Sequence, residues 1–243
     1  RSDGSYDISP VLAGADELFS QDQKKKALEI YEPLIEEIHT AELLNRIAAM
    51  QVEEQKLDDA VRIFRRVLRI DGASKEASEG LKLVHKKYLA QVDNASKKHD
   101  YVNAAAALEK AMLIFKNPKL LERGIDLNRM LKNDIRVHQL EKMHKELMVK
   151  RTKKLVQEKI SLAEEEEKKG NYKSAIANFE QAIRLDPQHE ILVKMSDLCR
   201  KINRPELAEK VTDWFNQFVA DQRKKEREDM AAQQTSNAEG DTT

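Results

Sequence analysis

The stretch GNYKSAIANFEQAIRLDP, at residues 170–187, decides the fold of this chain. Ala175, Phe179 and Ala182 follow one another at spacings of four and three residues, which places them on one face of an α-helix. The two alanines allow a second helix to approach closely, and the aromatic ring fills the space between them. Because Pro187 cannot continue a helix, the pattern predicts a helix that ends just before it.

This segment resembles the tetratricopeptide repeat, a helix–turn–helix unit of about 34 residues. Gly170 and Tyr172 match the turn between its two helices. The resemblance implies an all-α chain, a right-handed superhelical solenoid of such repeats. It also implies a non-catalytic scaffold or adaptor that binds an extended segment or a helix of another protein in a concave groove. An isolated helical hairpin of another all-α fold is the alternative.

The alanine framework recurs at irregular intervals. Ala27 and Ala60 are 33 residues apart, close to the family period, but Ala60 and Ala104 are 44 residues apart. The excess lies in residues 73–98 and predicts a first helix longer than usual. A further 71 residues separate Ala104 from Ala175, and most of this stretch lacks the signature. The array is therefore predicted to be irregular.

These patterns predict five segments. They are a linker at residues 1–9, N-terminal repeats at 10–118, a non-consensus helical region at 119–155, C-terminal repeats at 156–220, and a charged helix extension with a disordered tail at 221–243. Residues 134–169 contain neither glycine nor proline, which predicts an overlong central helix continuing to about residue 169. Pro118 is expected to end the third repeat. Thr212 replaces the framework aromatic in the last repeat, as is typical of atypical terminal repeats.

Composition excludes some classes of protein. The 43 basic and 43 acidic residues give no overall attraction to nucleic acid or to acidic membranes. No apolar run reaches the roughly 20 residues that span a bilayer. The lone Cys199 argues against a disulfide framework and favours a reducing, cytoplasmic location. The chain begins with Arg1, which suggests a fragment, and its irregular repeats suggest a module of a larger bacterial regulatory or assembly protein.

No catalytic or cofactor motif is present in the sequence. A glycine-rich phosphate loop, a G-x-S-x-G elbow, an H-E-x-x-H pair and a Cys/His cluster are all missing. His138 and His144 are six residues apart, so they lie on different sides of a helix instead of converging on a metal. Cys199 is interpreted as a small buried filler. We therefore expect no enzyme activity, no cofactor and no metal.

First helices line the groove in the family, which gives candidate partner-groove residues. They are Glu42, Asn45, Arg46, Ala49 and Glu53 in the second repeat, Lys86, Leu89 and Asp93 in the third, and Gln157, Ile160 and Glu164 in the best-preserved one. The family's clamp for chaperone C-termini is not predicted. Arg46 stands at the place of its asparagine, and Ala90 stands at the place of a basic residue.

Two further surfaces offer alternative functions. The first, here called the basic cluster, consists of Lys142, Lys145, Lys150, Arg151, Lys153 and Lys154. It is interpreted as a solvated helix face, as a dock for an acidic protein, or as an RNA-binding surface. The cluster contains no aromatic residue for base stacking, which argues against RNA. The second alternative is self-association, through the long helix or through an exposed aromatic end formed by Trp214, Phe215 and Phe218.

Overall fold

The computed structural model describes the backbone of residues 8–240 and the side chains of residues 8–224 and 227. Its helices are α1 (Ser9–Ser20), α2 (Lys24–Tyr31), a 3-10 helix (Glu32–Glu37), α3 (Ala41–Glu53), α4 (Leu57–Ile70), α5 (Lys75–Lys97), α6 (Tyr101–Ile114), α7 (Pro118–Met130), α8 (Asp134–Lys168), α9 (Tyr172–Leu185), α10 (His189–Lys201) and α11 (Pro205–Gly240). No residue in the described range lies in a strand. The all-α class is confirmed. Most of the predicted linker lies outside the described residues.

The chain divides into two compact units, Arg1–His144 and Lys145–Thr243. The division falls inside α8, within the segment predicted to be non-consensus. The first unit has a core that includes Tyr31, Ile47 and Phe64. The second has a core that includes Phe179, with Ala175 and Ala182 fully buried beside it. The face predicted from the opening segment is therefore the buried face.

Six turns share one geometry that defines the hairpins. Each contains one residue with a φ between 54° and 79°: Asp22, Gln55, His99, Lys132, Gly170 and Asn203. In every case the N–H of the next residue donates to the carbonyl oxygen five residues before it, at 2.9 Å. This is the Schellman motif, which satisfies carbonyl groups that a helix end leaves unpaired. The described residues therefore contain six helical hairpins, each with a first and a second helix.

The fourth hairpin lies where the signature is missing. It pairs α7 with the beginning of α8, and its turn residue Lys132 follows His99 by 33 residues, the same interval that separates Asp22 from Gln55. Val137 replaces the framework alanine, and Leu140 is fully buried. The non-consensus region thus keeps the turn and the period of the repeat although its side chains differ.

The overlong first helix predicted for residues 73–98 is confirmed as α5, which has 23 residues. The interval from Gln55 to His99 is 44 residues, eleven more than between other neighbouring turns. Eleven residues make about three helical turns, so the insertion leaves the direction of the buried face nearly unchanged. Ala77, Val84 and Val92 are accordingly all fully buried on one stripe.

Both ends of the long helices need comment. The overlong central helix is present as α8, with 35 residues. Pro118 begins α7 instead of ending the preceding helix, since a proline at the first helical position sacrifices no hydrogen bond. The backbone of α11 is helical as far as Gly240, in contrast to the disordered tail that composition predicts. Residues 231–234 consist of good helix formers, which accounts for this extension.

Candidate partner-binding groove

The first helices are α1, α3, α5 and α7 in the first unit, and the end of α8 with α10 in the second. Their faces turned away from the second helices carry the predicted partner-groove residues. Glu42, Ala49, Glu53, Lys86, Asp93 and Gln157 are exposed, whereas Asn45, Arg46, Leu89, Ile160 and Glu164 are half-buried. The half-buried side chains already have partners inside the protein, so the two groups have different roles.

Three ion pairs connect neighbouring first helices on this face. They join Asp16 to Arg46 at 2.6 Å, Asp93 to Arg123 at 2.7 Å, and Glu164 to Lys194 at 2.6 Å. In each pair the base follows the acid by 30 residues, and we call them the inter-repeat ion pairs. Each joins one hairpin to the next within its unit. All are partly exposed, so each contributes about 1 kcal/mol or less.

Arg46 shows how a predicted groove residue is used internally. The Asp16 carboxylate accepts hydrogen bonds from both the Arg46 guanidinium and the Tyr31 hydroxyl, the latter at 2.5 Å. The guanidinium also lies 5.0 Å from the centre of the Phe19 ring, a cation–π contact. Burial, with help from the Asp16 hydrogen bond, raises the pKa of Tyr31 to about 12. Arg46 therefore stabilises the contact between α1 and α3.

Other predicted groove residues also contact their neighbours. Glu53 pairs with Lys24 at 3.1 Å, and the Asn45 amide donates to the Ser74 hydroxyl at 3.2 Å. Leu89 packs against the first core, and Ile160 packs against the second. Within the described part of the chain, the exposed Lys86 and Gln157 form no hydrogen bond or ion pair.

The inter-repeat ion pair is replaced by two alanines between α3 and α5. Elsewhere the acid stands eleven residues before the framework position, as Asp16 does before Ala27. The base stands fourteen residues before it. At these two places the first unit has Ala49 and Ala90, and both are exposed. The groove face is therefore open here, with no ion pair in front of the helices.

The basic cluster does not form one surface. All six side chains are exposed, but Lys142 belongs to the first unit and the other five belong to the second. At about 100° per residue, those five spread over about 240° of the circumference of α8. Lys154 in addition lies 3.8 Å from Glu158. The structure therefore brings no compact patch of these charges together.

The prediction of an exposed aromatic end is wrong for Phe215. That side chain is 9% exposed and belongs to the second core. Trp214 and Phe218 are half-buried, with ring centres 5.8 Å apart. The Arg184 guanidinium lies 5.8 Å from the centre of the Trp214 ring. The spacing was right for one helical face, but that face packs on α9 and α10.

The chemistry of the remaining candidates is structural. Cys199 is fully buried, and burial raises the pKa of its thiol, which disfavours the reactive thiolate. In the run of four glutamates, Glu164 and Glu167 pair with lysines of α10, while the other two pair with Lys169. Among the described residues, no group of three or more His, Cys, Asp or Glu side chains could hold a metal. None of the described helices combines the length and the apolar character of a membrane span.

The chain is similar to known tetratricopeptide repeat proteins. The family model described as tetratricopeptide repeat matches residues 160–189, which include all of α9. No curated protein matches the chain. Three similar solved structures are TTC0263, a thermophilic TPR protein in Thermus thermophilus (16% identity, 79% of this chain, 98% of that chain, TM-score 0.29), a tetratricopeptide repeat protein from Parabacteroides merdae (16%, 81%, 72%, 0.30), and YrrB, a TPR protein with an unusual peptide-binding site (19%, 76%, 89%, 0.25).

Proposed function

We propose that this chain, a tetratricopeptide repeat protein, is a non-catalytic scaffold that holds an extended segment or a helix of another protein against its first helices. The observation that carries the proposal is the opening at Ala49 and Ala90. There the inter-repeat ion pair is replaced by two exposed methyl groups, so a partner's backbone can approach α3 and α5 closely.

The residues around this opening offer both polar and apolar contacts. Glu42 and Lys86 are exposed and carry opposite charges, and Leu89 adds a half-buried apolar surface on α5. By contrast, Arg46 and Asp93 are already used in inter-repeat ion pairs. We therefore assign partner contact to Glu42, Ala49, Lys86 and Leu89, and alignment of the hairpins to the ion pairs.

The second unit offers a smaller surface of the same kind. Gln157 is exposed, Ile160 is half-buried, and Glu164 is engaged with Lys194. We include Gln157 and Ile160 as secondary contacts. A cytoplasmic location is part of the proposal, and it is supported only by the single buried cysteine.

The test compares two substitutions of exposed alanines by arginine. Ala49→Arg places a long charged side chain in the opening, whereas Ala177→Arg makes the same change on the second helix α9. We expect both variants to fold, as judged by circular dichroism. Affinity capture with quantitative mass spectrometry should show proteins bound by the unmodified chain and by Ala177→Arg but lost with Ala49→Arg. An identical set of captured proteins for both variants would refute the proposed groove.

Sedimentation at several concentrations tests whether the partner is a second copy. A mass that rises with concentration for the unmodified chain, and not for Ala49→Arg, would replace a different partner protein with self-association through this groove. A constant monomer mass leaves the binding of another protein as the function.

A further inference from the structure

A second groove lies between the second helices α4 and α6 of the first unit, with α5 at its floor. Its volume is about 600 Å³. The side chains that matter for its chemistry are Val61, Arg62, Arg65, Arg69, Lys110 and Leu113. This groove shares no residue with the partner-binding groove proposed above, since that one is lined by first helices.

Three guanidinium groups line one side of this groove. Arg62, Arg65 and Arg69 stand three and four residues apart, so they form one stripe that is about 10 Å long. The side chain of Arg62 is 59% exposed, and its carboxylate partners lie at 3.5 and 3.8 Å. Arg69 is exposed and forms no hydrogen bond or ion pair within the described part of the chain. The stripe therefore holds positive charge that the protein neutralises only weakly.

The other side of the groove combines a paired charge with an apolar surface. Lys110 is bound to Asp58, the only carboxylate among the residues that line the groove. Leu113 is 69% exposed although it lies beside the cavity. Arg65 donates to the carbonyl oxygen of Leu113 and so connects α4 with the end of α6. An apolar side chain of a ligand could cover Leu113 and Val61 while its neighbours face the arginines.

The equivalent groove of the second unit is filled by the protein itself. It lies between α9 and α11 and has a volume of about 330 Å³. Glu180 and Arg184 occupy the places of Arg65 and Arg69, counted from the framework alanines, and they pair with each other at 2.6 Å. Trp214 occupies the place of Lys110, and its ring lies beside Arg184. The second unit therefore supplies from its own chain a carboxylate and a large aromatic side chain.

We propose that the groove between α4 and α6 binds an acidic segment of a partner protein in which carboxylates flank a large apolar side chain. The carboxylates pair with Arg62 and Arg69, and the apolar side chain packs on Val61 and Leu113. The ligand thus provides the two kinds of group that Glu180 and Trp214 provide in the second unit. Guanidinium groups suit this role because they bind carboxylates through two parallel hydrogen bonds.

The test measures fluorescence anisotropy with a fluorescein-labelled peptide that contains the sequence Glu-Glu-Phe-Glu-Glu. Two matched peptides replace the phenylalanine by alanine or the glutamates by lysines. We expect only the first to bind, with an affinity that falls as salt increases. Removing both free guanidiniums with Arg62→Ala/Arg69→Ala should weaken binding by about tenfold or more, since each hydrogen bond to a charged group is worth about 1.5–3 kcal/mol.

Two controls separate this proposal from simpler explanations. Lys82→Ala/Lys98→Ala also removes two exposed positive charges, on α5 and just after it, and should leave the affinity unchanged. Ala49→Arg should also leave it unchanged, because it blocks only the first-helix groove. Equal loss in the two double variants, or equal binding of the alanine peptide, would overturn the proposal. Tighter binding of single-stranded RNA that is lost in Arg62→Ala/Arg69→Ala would also overturn it, in favour of a nucleic-acid ligand.

Discussion

Gly80 is the position where one added methyl group should have the largest effect. It lies in the first half of α5, directly against the ring of Phe64 on α4. A Cβ atom at Gly80 would lie 2.5 and 2.6 Å from the two Cε atoms of that ring and closer still to Cζ. Because carbon atoms normally approach to about 3.5–4.0 Å, the ring would have to move by about 1 Å or more.

The structure gives the ring little room to move. Phe64 is 3% exposed and lies in the core of the first unit. Overpacking such a core costs about 1–3 kcal/mol, whereas replacing a helical glycine by alanine returns about 0.5–1 kcal/mol of backbone entropy. We therefore expect Gly80→Ala to lower the free energy of unfolding by about 1–2 kcal/mol.

A glycine in α1 provides the matched control. A Cβ atom at Gly14 would meet no atom within 4 Å, so Gly14→Ala keeps only the backbone gain and should stabilise by about 0.5–1 kcal/mol. Urea unfolding followed by circular dichroism measures both variants. Phe64→Leu completes a double-mutant cycle, and in that background Gly80→Ala should cost at least about 1 kcal/mol less. If Gly80→Ala stabilised the protein as Gly14→Ala does, the assigned contact between α4 and α5 would be incorrect.

Three further predictions concern the turns, the framework and a buried hydroxyl. Gly170→Ala should destabilise by about 1 kcal/mol, because φ is +79° and nothing crowds the added methyl group; Gly72→Ala, where φ is not positive, should change stability less in the same urea titration. Ala175→Leu should cost about 1–3 kcal/mol, since this alanine is fully buried, and an unchanged midpoint would mean that its face is not packed. The pKa of Tyr31 is raised to about 12, so the unfolded chain loses this proton first; stability should fall by about 1.4 kcal/mol per pH unit between about pH 10 and 12, and Tyr31→Phe should remove this component of the difference curve.

Much of the fold follows from local pattern. Ala60 with Phe64, and Ala175 with Phe179, identify second helices because small and aromatic residues at helical spacing serve one purpose, the close approach of a partner helix. The length of α5 follows from the interval between framework alanines. By contrast, the hairpin at Lys132 has no such side chains. Its turn depends on backbone geometry and hydrogen bonds, which leave little trace in residue identity.

The groove shows a similar division. First helices were identified correctly as its lining, but Arg46, Asp93 and Glu164 turned out to hold neighbouring hairpins together. A signal was available, since acid and base recur 30 residues apart at fixed distances from the framework positions. The arginine stripe of α4 was not recognised, because three arginines on a charged helix look the same whether solvent or a cavity faces them.

The sequence by itself determined that this chain is built from helical hairpins, where most of them begin and end, and which face of each second helix is buried. These properties depend on contacts within about one repeat, and periodicity encodes such contacts directly. The tertiary structure alone decided which charged side chains are paired, that Gly80 makes room for Phe64, and that the groove between α4 and α6 is open while Trp214 occupies its counterpart. Those outcomes depend on which residues of different hairpins meet, and no local pattern contains that information.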